Sequence, residues 1–190
     1  MKLDTNKYWD DRYVNGGNSG NGSYGMLANY KAAVINNFIN TNEITSMLEY
    51  GCGDGNQLSM IDCDKIMAFD VSPTALELCK KKVNCETYID FKEIKEVPEL
   101  IVSLDVIYHL VDDKDYYDYL NNMVGLGAKY LIFYSVNEEM TGMAAHVRPR
   151  KFTNDITGYT LIHKELNPFK SLDHTKGSFS DFYFYEKNNS

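Results

Sequence analysis

Short apolar runs alternate with longer amphipathic stretches along this chain, and that alternation predicts strands separated by helices. Ile66–Phe69, Leu100–Leu104 and Tyr130–Tyr134 are compact apolar segments of the kind buried on both faces of a parallel sheet. Met26 to Asn40 carries Leu27, Tyr30, Ala33, Val34, Phe38 and Ile39 on one side of an expected helix. Thr74 to Lys82 is a second helix, with Ser72 as N-cap, Pro73 at the first position and Lys80-Lys81-Lys82 at the negative end of the dipole. Asp112 to Val124, rich in Tyr and acid, is a third. Tyr88-Ile89 reads as a weak strand, and Gly158–Leu166 and Asp181–Glu186 as two closing strands joined by a polar loop. Aromatic spacing at Tyr8, Trp9 and Tyr13 suits a short amphipathic helix within residues 1–15. Strand and helix alternate with no repeat, linker or second domain, so residues 1–190 are expected to form one α/β domain.

The most informative stretch is Ser46 to Leu58. A short apolar run reaches Glu49, turns through Gly51, Gly53 and Gly55, and continues into an expected short helix over Gln57–Met60. Glycines belong where the backbone bends tightly and a ligand must approach without a Cβ in the way. In an open parallel sheet, ligands sit beyond the carboxyl ends of the strands, beside such turns. The spacing is Gly-x-Gly-x-Gly, with Asn56 where a dinucleotide fingerprint would continue, and Asp54 inside the turn would repel a pyrophosphate. An acid-rich turn suits a cationic or zwitterionic ligand. The second strand ends in Asp70, at a distance suited to accepting hydrogen bonds from ribose hydroxyls.

Four landmarks stand in order: Glu49-x-Gly51-x-Gly53-x-Gly55, Asp70, Asp90, and Ser103-Leu104-Asp105-Val106-Ile107-Tyr108-His109-Leu110. Over residues 44–135 they resemble class I S-adenosylmethionine (SAM) dependent methyltransferases with small-molecule acceptors. The resemblance implies a Rossmann-like, seven-stranded, mostly parallel sheet with helices on both faces and an antiparallel last strand. It implies that Gly51, Cys52 and Gly53 pass the methionine part of SAM, with Glu49 beneath. Asp70 and Val71 would hold the ribose, the Asp90-Phe91 corner the adenine, and Leu104 and Asp105 would line the site near the sulfonium. The opening segment, Tyr8-Trp9-Asp10 through Ser23-Tyr24-Gly25, is similar to that of small bacterial and phage-type members, where it closes over the cofactor. That similarity places Tyr13 and Ser23 beside SAM and makes residues 1–40 a helical and lid segment. Gly16–Gly25 on its own also suits a solvated linker; the aromatics and Arg12 that bracket it favour a lid. Glu49 stands where Asp is more usual, and little chain separates the third and fourth landmarks.

Composition narrows the partners. A net charge of −8 argues against a general nucleic-acid binder. Asp105-Val106-Ile107-Tyr108 also departs from the Asn/Asp-Pro-Pro-aromatic run of nucleobase amino-methylating members, so DNA is not expected as acceptor. The N-terminus has no apolar signal core and no apolar run is long enough to span a bilayer, so a cytoplasmic location is expected. Cys52, Cys63, Cys79 and Cys85 show no metal spacing and read as reduced thiols.

The acceptor side is expected within residues 136–190. Two of the three arginines, Arg148 and Arg150, fall in His146-Val147-Arg148-Pro149-Arg150-Lys151. A guanidinium pair matches phosphate or carboxylate oxygens, so the expectation is a small anionic acceptor, phosphorylated or of sugar type; pairing with surface acids is the alternative. His109 and His146 are the candidate general bases for an oxygen acceptor, and Tyr108 shapes the pocket. No third ligand joins Asp105 and His109, so no metal is expected. The expectation is a SAM-dependent methyltransferase favouring O-methylation. Rival readings are a protein or RNA methyltransferase and a non-catalytic SAM-binding subunit; a nicotinamide oxidoreductase is disfavoured by Asn56. Oligomeric state is not legible in the chain.

Overall fold

The computed structural model describes residues 4–171 and 177–189. Part of the polar loop expected between the last two strands, and Met1–Leu3 of the N-terminus, lie outside the described residues. Seven strands form one sheet: β1 (Ser46–Tyr50), β2 (Lys65–Phe69), β3 (Glu86–Tyr88), β4 (Leu100–Leu104), β5 (Tyr130–Ser135), β6 (Tyr159–Glu165) and β7 (Asp181–Lys187). Their order is β3-β2-β1-β4-β5-β7-β6. Strands β1 to β5 run parallel, and β7 is antiparallel to both β5 and β6. The order reverses between β1 and β4, and a crevice opens there at the carboxyl ends of the strands.

Alternating side chains of the strands feed two cores, one on each face. Met47, Ala68, Val102 and Ile132 face helix α2 (Gly25–Thr41) and helix α3 (Pro73–Lys80). Leu48, Met67, Ile101 and Leu131 face helix α4 (Asp113–Leu126). The N-terminal helix α1 (Thr5–Val14) packs instead across the carboxyl edge. Its Asp10 accepts from the Ser72 hydroxyl (2.6 Å) and the Thr74 amide (3.2 Å), docking it on the start of α3. Ser72 caps α3 as expected, its Oγ accepting from the Ala75 amide at 3.0 Å. At the far edge, β6 is exposed along most of its length, and a bulge interrupts its register with β7 between Leu161 and His163. Among the described residues no helix is long and apolar enough to cross a membrane.

Two expectations about local structure are corrected. Gln57–Met60 does not extend into an α-helix; the chain makes a single 3-10 turn over Leu58–Met60. So few residues cannot repay helix nucleation, and α2 captures them instead. Gln57 donates to the Ala28 carbonyl, Asn36 donates to Met60 O, and Asn36 Oδ1 accepts from the Asp62 amide. The buried stripe of α2 also differs from the expected one. Leu27, Ala28, Lys31, Ala32, Ile35 and Ile39 are buried, whereas Ala33 is exposed and Tyr30, Val34 and Phe38 lie at the margin. A lysine in the middle of the true stripe hides it from a hydrophobicity pattern.

Lys31 forms the most buried ion pair among the described residues, its Nζ 2.9 Å from Asp105 Oδ2 just beyond β4. Losing one partner of such a pair strands the other charge, at about 3 kcal/mol or more. Lys31→Ala is therefore expected to lower unfolding free energy by about 3 kcal/mol in urea titrations. Lys31→Met combined with Asp105→Asn is expected to recover most of that loss.

Candidate active site

The crevice at the carboxyl edge is a cleft of about 780 Å³, walled by the strand tips, α1 and the segment after it, and the loops following β4 and β5. Every residue expected to meet the cofactor lies on its wall: Tyr13, Ser23, Glu49, Gly51, Cys52, Gly53, Asp70, Val71, Asp90, Phe91, Leu104 and Asp105. Tyr108, His109 and His146 line it too; Arg148 and Arg150 do not.

The glycine turn is built on β2. The amides of Gly51 and Cys52 both donate to the Phe69 carbonyl (2.8 and 3.0 Å). Asp70 then ties the turn to α3, accepting from the Gly53 amide (2.8 Å) and the Ser72 amide (2.9 Å). Burial pushes the Asp70 carboxyl up to about 6, against those backbone donors. Gly51 sits at φ +97° and a Cβ there would lie 2.5 Å from Val106 Cγ2, so only glycine fits.

Residues 16–24 fold over this turn as a lid, and Asp54 is its latch. Ser19 Oγ donates to Asp54 Oδ1 (2.9 Å) and accepts from the Asp54 amide (2.9 Å), while the Tyr24 hydroxyl donates to Oδ2 (2.5 Å). Asn56 adds a bond to the Ser23 carbonyl at 2.7 Å, and Arg12 holds the Asn18 carbonyl at 2.6 Å. Burial works to raise the Asp54 carboxyl, yet the donors from Tyr24, Asn56 and Ser19 outweigh it and hold it below the ordinary value. Asp54 is thus turned to the lid, and it is absent from the cleft wall.

Charge is concentrated at the cleft floor. Asp105 takes a left-handed φ of +59° and is fixed there by Lys31 and by the Ser180 hydroxyl, which donates to Oδ1 at 2.8 Å. Glu49 is 2% exposed, and its Oε2 has no hydrogen-bond partner among the described residues. Burial pushes its carboxyl up to about 8; Lys31 pulls in the other direction and Asp70 adds to the rise. A buried carboxylate oxygen left open beside a glycine turn is a site for a positively charged donor. On the adenine side of the resemblance, Tyr50 stacks on Tyr119 at 4.1 Å, with Phe91 at 5.1 Å from Tyr50.

At the outer end stand Trp9, Tyr108, His109 and His146. His109 Nδ1 lies 3.0 Å from the His146 carbonyl, so Nδ1 carries the proton and Nε2 keeps its lone pair. Burial lowers His109 to about 4 and lowers His146 as well, so both rings are neutral at pH 7. Burial, reinforced by Asp105, raises the Tyr108 phenol far above its ordinary range.

For the two arginines the geometry favours the alternative expectation, pairing with a surface acid. Arg148 donates to Val111 O (3.0 Å) and Asp113 (2.8 Å). Arg150 donates to Leu110 O (2.6 Å), Val111 O (3.1 Å) and Asp113 (3.0 Å), and lies 4.2 Å over the Tyr116 ring. The pair braces the loop after β4 against the loop after β5; in an acidic chain, carbonyls and Asp113 have claimed the guanidiniums. Sequence reasoning missed Lys31, Ser19 and Asn56. Only Lys31 left a signal, a lone charge at core spacing on α2 (Ala28, Lys31, Ala32, Ile35).

Gly53 sits at φ +54°, and an added Cβ would collide with Ser19 Oγ and lie 2.7 Å from the Tyr13 hydroxyl. Gly53→Ala is expected to push the lid off its latch. Amide hydrogen exchange over residues 16–24 should then rise at least tenfold, with the β4 and β5 amides unchanged.

No protein-family model matches the chain, and neither does any curated protein sequence. Solved structures do resemble it. The N-methyltransferase NodS from Bradyrhizobium japonicum WM9, in complex with S-adenosyl-L-homocysteine (SAH), superposes with a TM-score of 0.76 at 16% identity, over 98% of this chain and 100% of that one. Magnesium protoporphyrin IX methyltransferase (ChlM) from Synechocystis PCC 6803, with bound SAM, gives 0.68 at 13% identity over 98% of both chains. The methyltransferase domain of bacterial CtHen1 gives 0.63 at 16% identity, over 84% of this chain and 97% of that one. With its strand order, its antiparallel β7 and these superpositions, the chain has the class I methyltransferase fold.

Proposed function

We propose that this protein is a SAM-dependent methyltransferase acting on a small-molecule hydroxyl acceptor. The observation that carries the cofactor reading is the open Oε2 of buried Glu49 next to a glycine turn that tolerates no Cβ. SAM carries an ammonium and a sulfonium, which suit a cleft floored by Glu49, Asp70 and Asp105, and SAM or SAH is bound in the NodS and ChlM structures. Glu49 would hold the ammonium, Asp70 the ribose hydroxyls, and Phe91 with the Tyr50–Tyr119 stack the adenine. When bound, SAM supplies an electrophilic methyl group.

The chain's own work is alignment and proton removal. Binding acceptor and cofactor in one cleft converts the displacement into an effectively unimolecular step. His109 Nε2 takes the acceptor's hydroxyl proton. A base that is weak at rest suffices, because an oxygen that is gaining a methyl group becomes strongly acidic. The His146 carbonyl fixes the tautomer and stabilises the imidazolium that forms. His146 itself is the neighbour that holds His109, not the base.

Two outcomes are expected. At pH 7 Glu49 is mostly protonated, with its carboxyl at about 8, and a nearby cation favours the carboxylate. SAM binding therefore releases a proton, and affinity rises with pH through the neutral range, up to about 8, where the α-ammonium of SAM itself begins to lose its proton. Calorimetry in buffers of different ionisation enthalpy measures the release, which Glu49→Gln should abolish. His109→Ala is expected to lower kcat about 100-fold while SAM affinity stays within about twofold. Because His109 titrates near 4, the wild-type rate should fall as pH drops through about 4, with no limb near the ordinary histidine value.

A further inference from the structure

We propose that the acceptor is a planar ring compound without negative charge, seated against Trp9, His109 and His146; this rests on the methyltransferase reading above. The outer cleft is an aromatic wall. Tyr8 stacks on His146 (5.1 Å between centroids, 21° between planes), His146 stacks on His109 (5.5 Å, 11°), and Trp9 meets His109 edge-on at 4.9 Å. Tyr108 lies 4.5 Å from His109, its ring tilted by 53°. These rings are ordered by one another, so a flat ligand meets a preformed surface and little side-chain freedom is lost on binding.

Charge sets the second half of the class. The cleft as a whole carries Glu49, Asp70, Asp90, Asp105, Asp115 and Asp118, and among the described residues Arg12 is the only Lys or Arg lining it. Arg12 donates its Nε to the Asn18 carbonyl, and its guanidinium lies 5.6 Å from the Trp9 ring. Arg148 and Arg150 are held on carbonyls and Asp113, outside the wall. An anionic acceptor would enter the net negative field of a cleft lined by six acidic residues and one guanidinium. A neutral ring escapes that field, and a cationic one gains from the carboxylates and from the ring faces. A hydroxyl on the ring's edge then stands beside His109, whose Nε2 holds the free lone pair.

Three naphthalenes of one shape test this: 2-naphthol, 2-naphthoate and 2-naphthylmethylammonium, each titrated calorimetrically with and without SAH. The chain has a single tryptophan, so the Trp9 indole N–H resonance reports the outer cleft directly. We expect naphthol and the ammonium compound to shift that resonance and to bind at least tenfold more tightly than naphthoate. His146→Ala keeps the backbone carbonyl that holds His109; it should weaken naphthol about tenfold with SAH affinity within twofold. Naphthoate binding as tightly as naphthol overturns the proposal, and so does a Trp9 resonance unmoved by every ring. Failure of SAH to bind while naphthol shifts Trp9 would strike the cofactor reading and leave the ring site standing.

Discussion

A single buried ammonium holds the carboxyl edge of this sheet together. Lys31 reaches from α2 to Asp105 at the tip of β4, and its charge also acts on Glu49 at the tip of β1. Without it, two carboxyl groups in a low-dielectric floor would lose the cation that offsets them, and the left-handed backbone at Asp105 would lose one of its side-chain restraints. Desolvation still wins at Glu49, whose carboxyl stays well above its ordinary range. The floor is therefore only partly neutralised.

The lid and the turn share their anchors. Ser19 touches Tyr13, Asp54 and the space above Gly53, so α1, the glycine turn and the lid form one connected unit. Asp10 extends that unit to α3 through Ser72, and Asp70 joins Ser72 back to Gly53. Three stretches separated in the chain, residues 5–24, the glycine turn and the start of α3, are thereby coupled through short polar contacts at one end of the sheet. The apolar cores beneath lend rigidity and take no direct part.

Much of this was legible beforehand, for physical reasons that differ by element. Leu100–Leu104 was readable to the residue because a strand buried on both faces must be apolar throughout. Ser72-Pro73 announced its helix through capping chemistry that is local to the sequence. The residues at the strand-tip end of the cleft were legible because backbone bends and acids at strand tips are themselves sequence features. Tertiary choices were not. Lys31 is buried through an aspartate 74 positions away, a pairing that local spacing does not reveal. Asp54 looked like a charge facing the ligand, since only the fold shows that Ser19 and Tyr24 intercept it. Arg148 and Arg150 looked like an anion fork, since a guanidinium bound to a carbonyl leaves no trace in composition.

The bulge in β6 has a consequence for how copies of this molecule meet. An outermost strand with solvent on most sides presents free amide and carbonyl groups that invite another chain to zip on. The break at Leu161–His163 twists those groups out of line, so an incoming strand could match only a few residues before losing step. Leu161 and Ile162 can therefore stay solvent-facing, at 44% and 45% exposure, on an edge whose geometry discourages fibre-like growth.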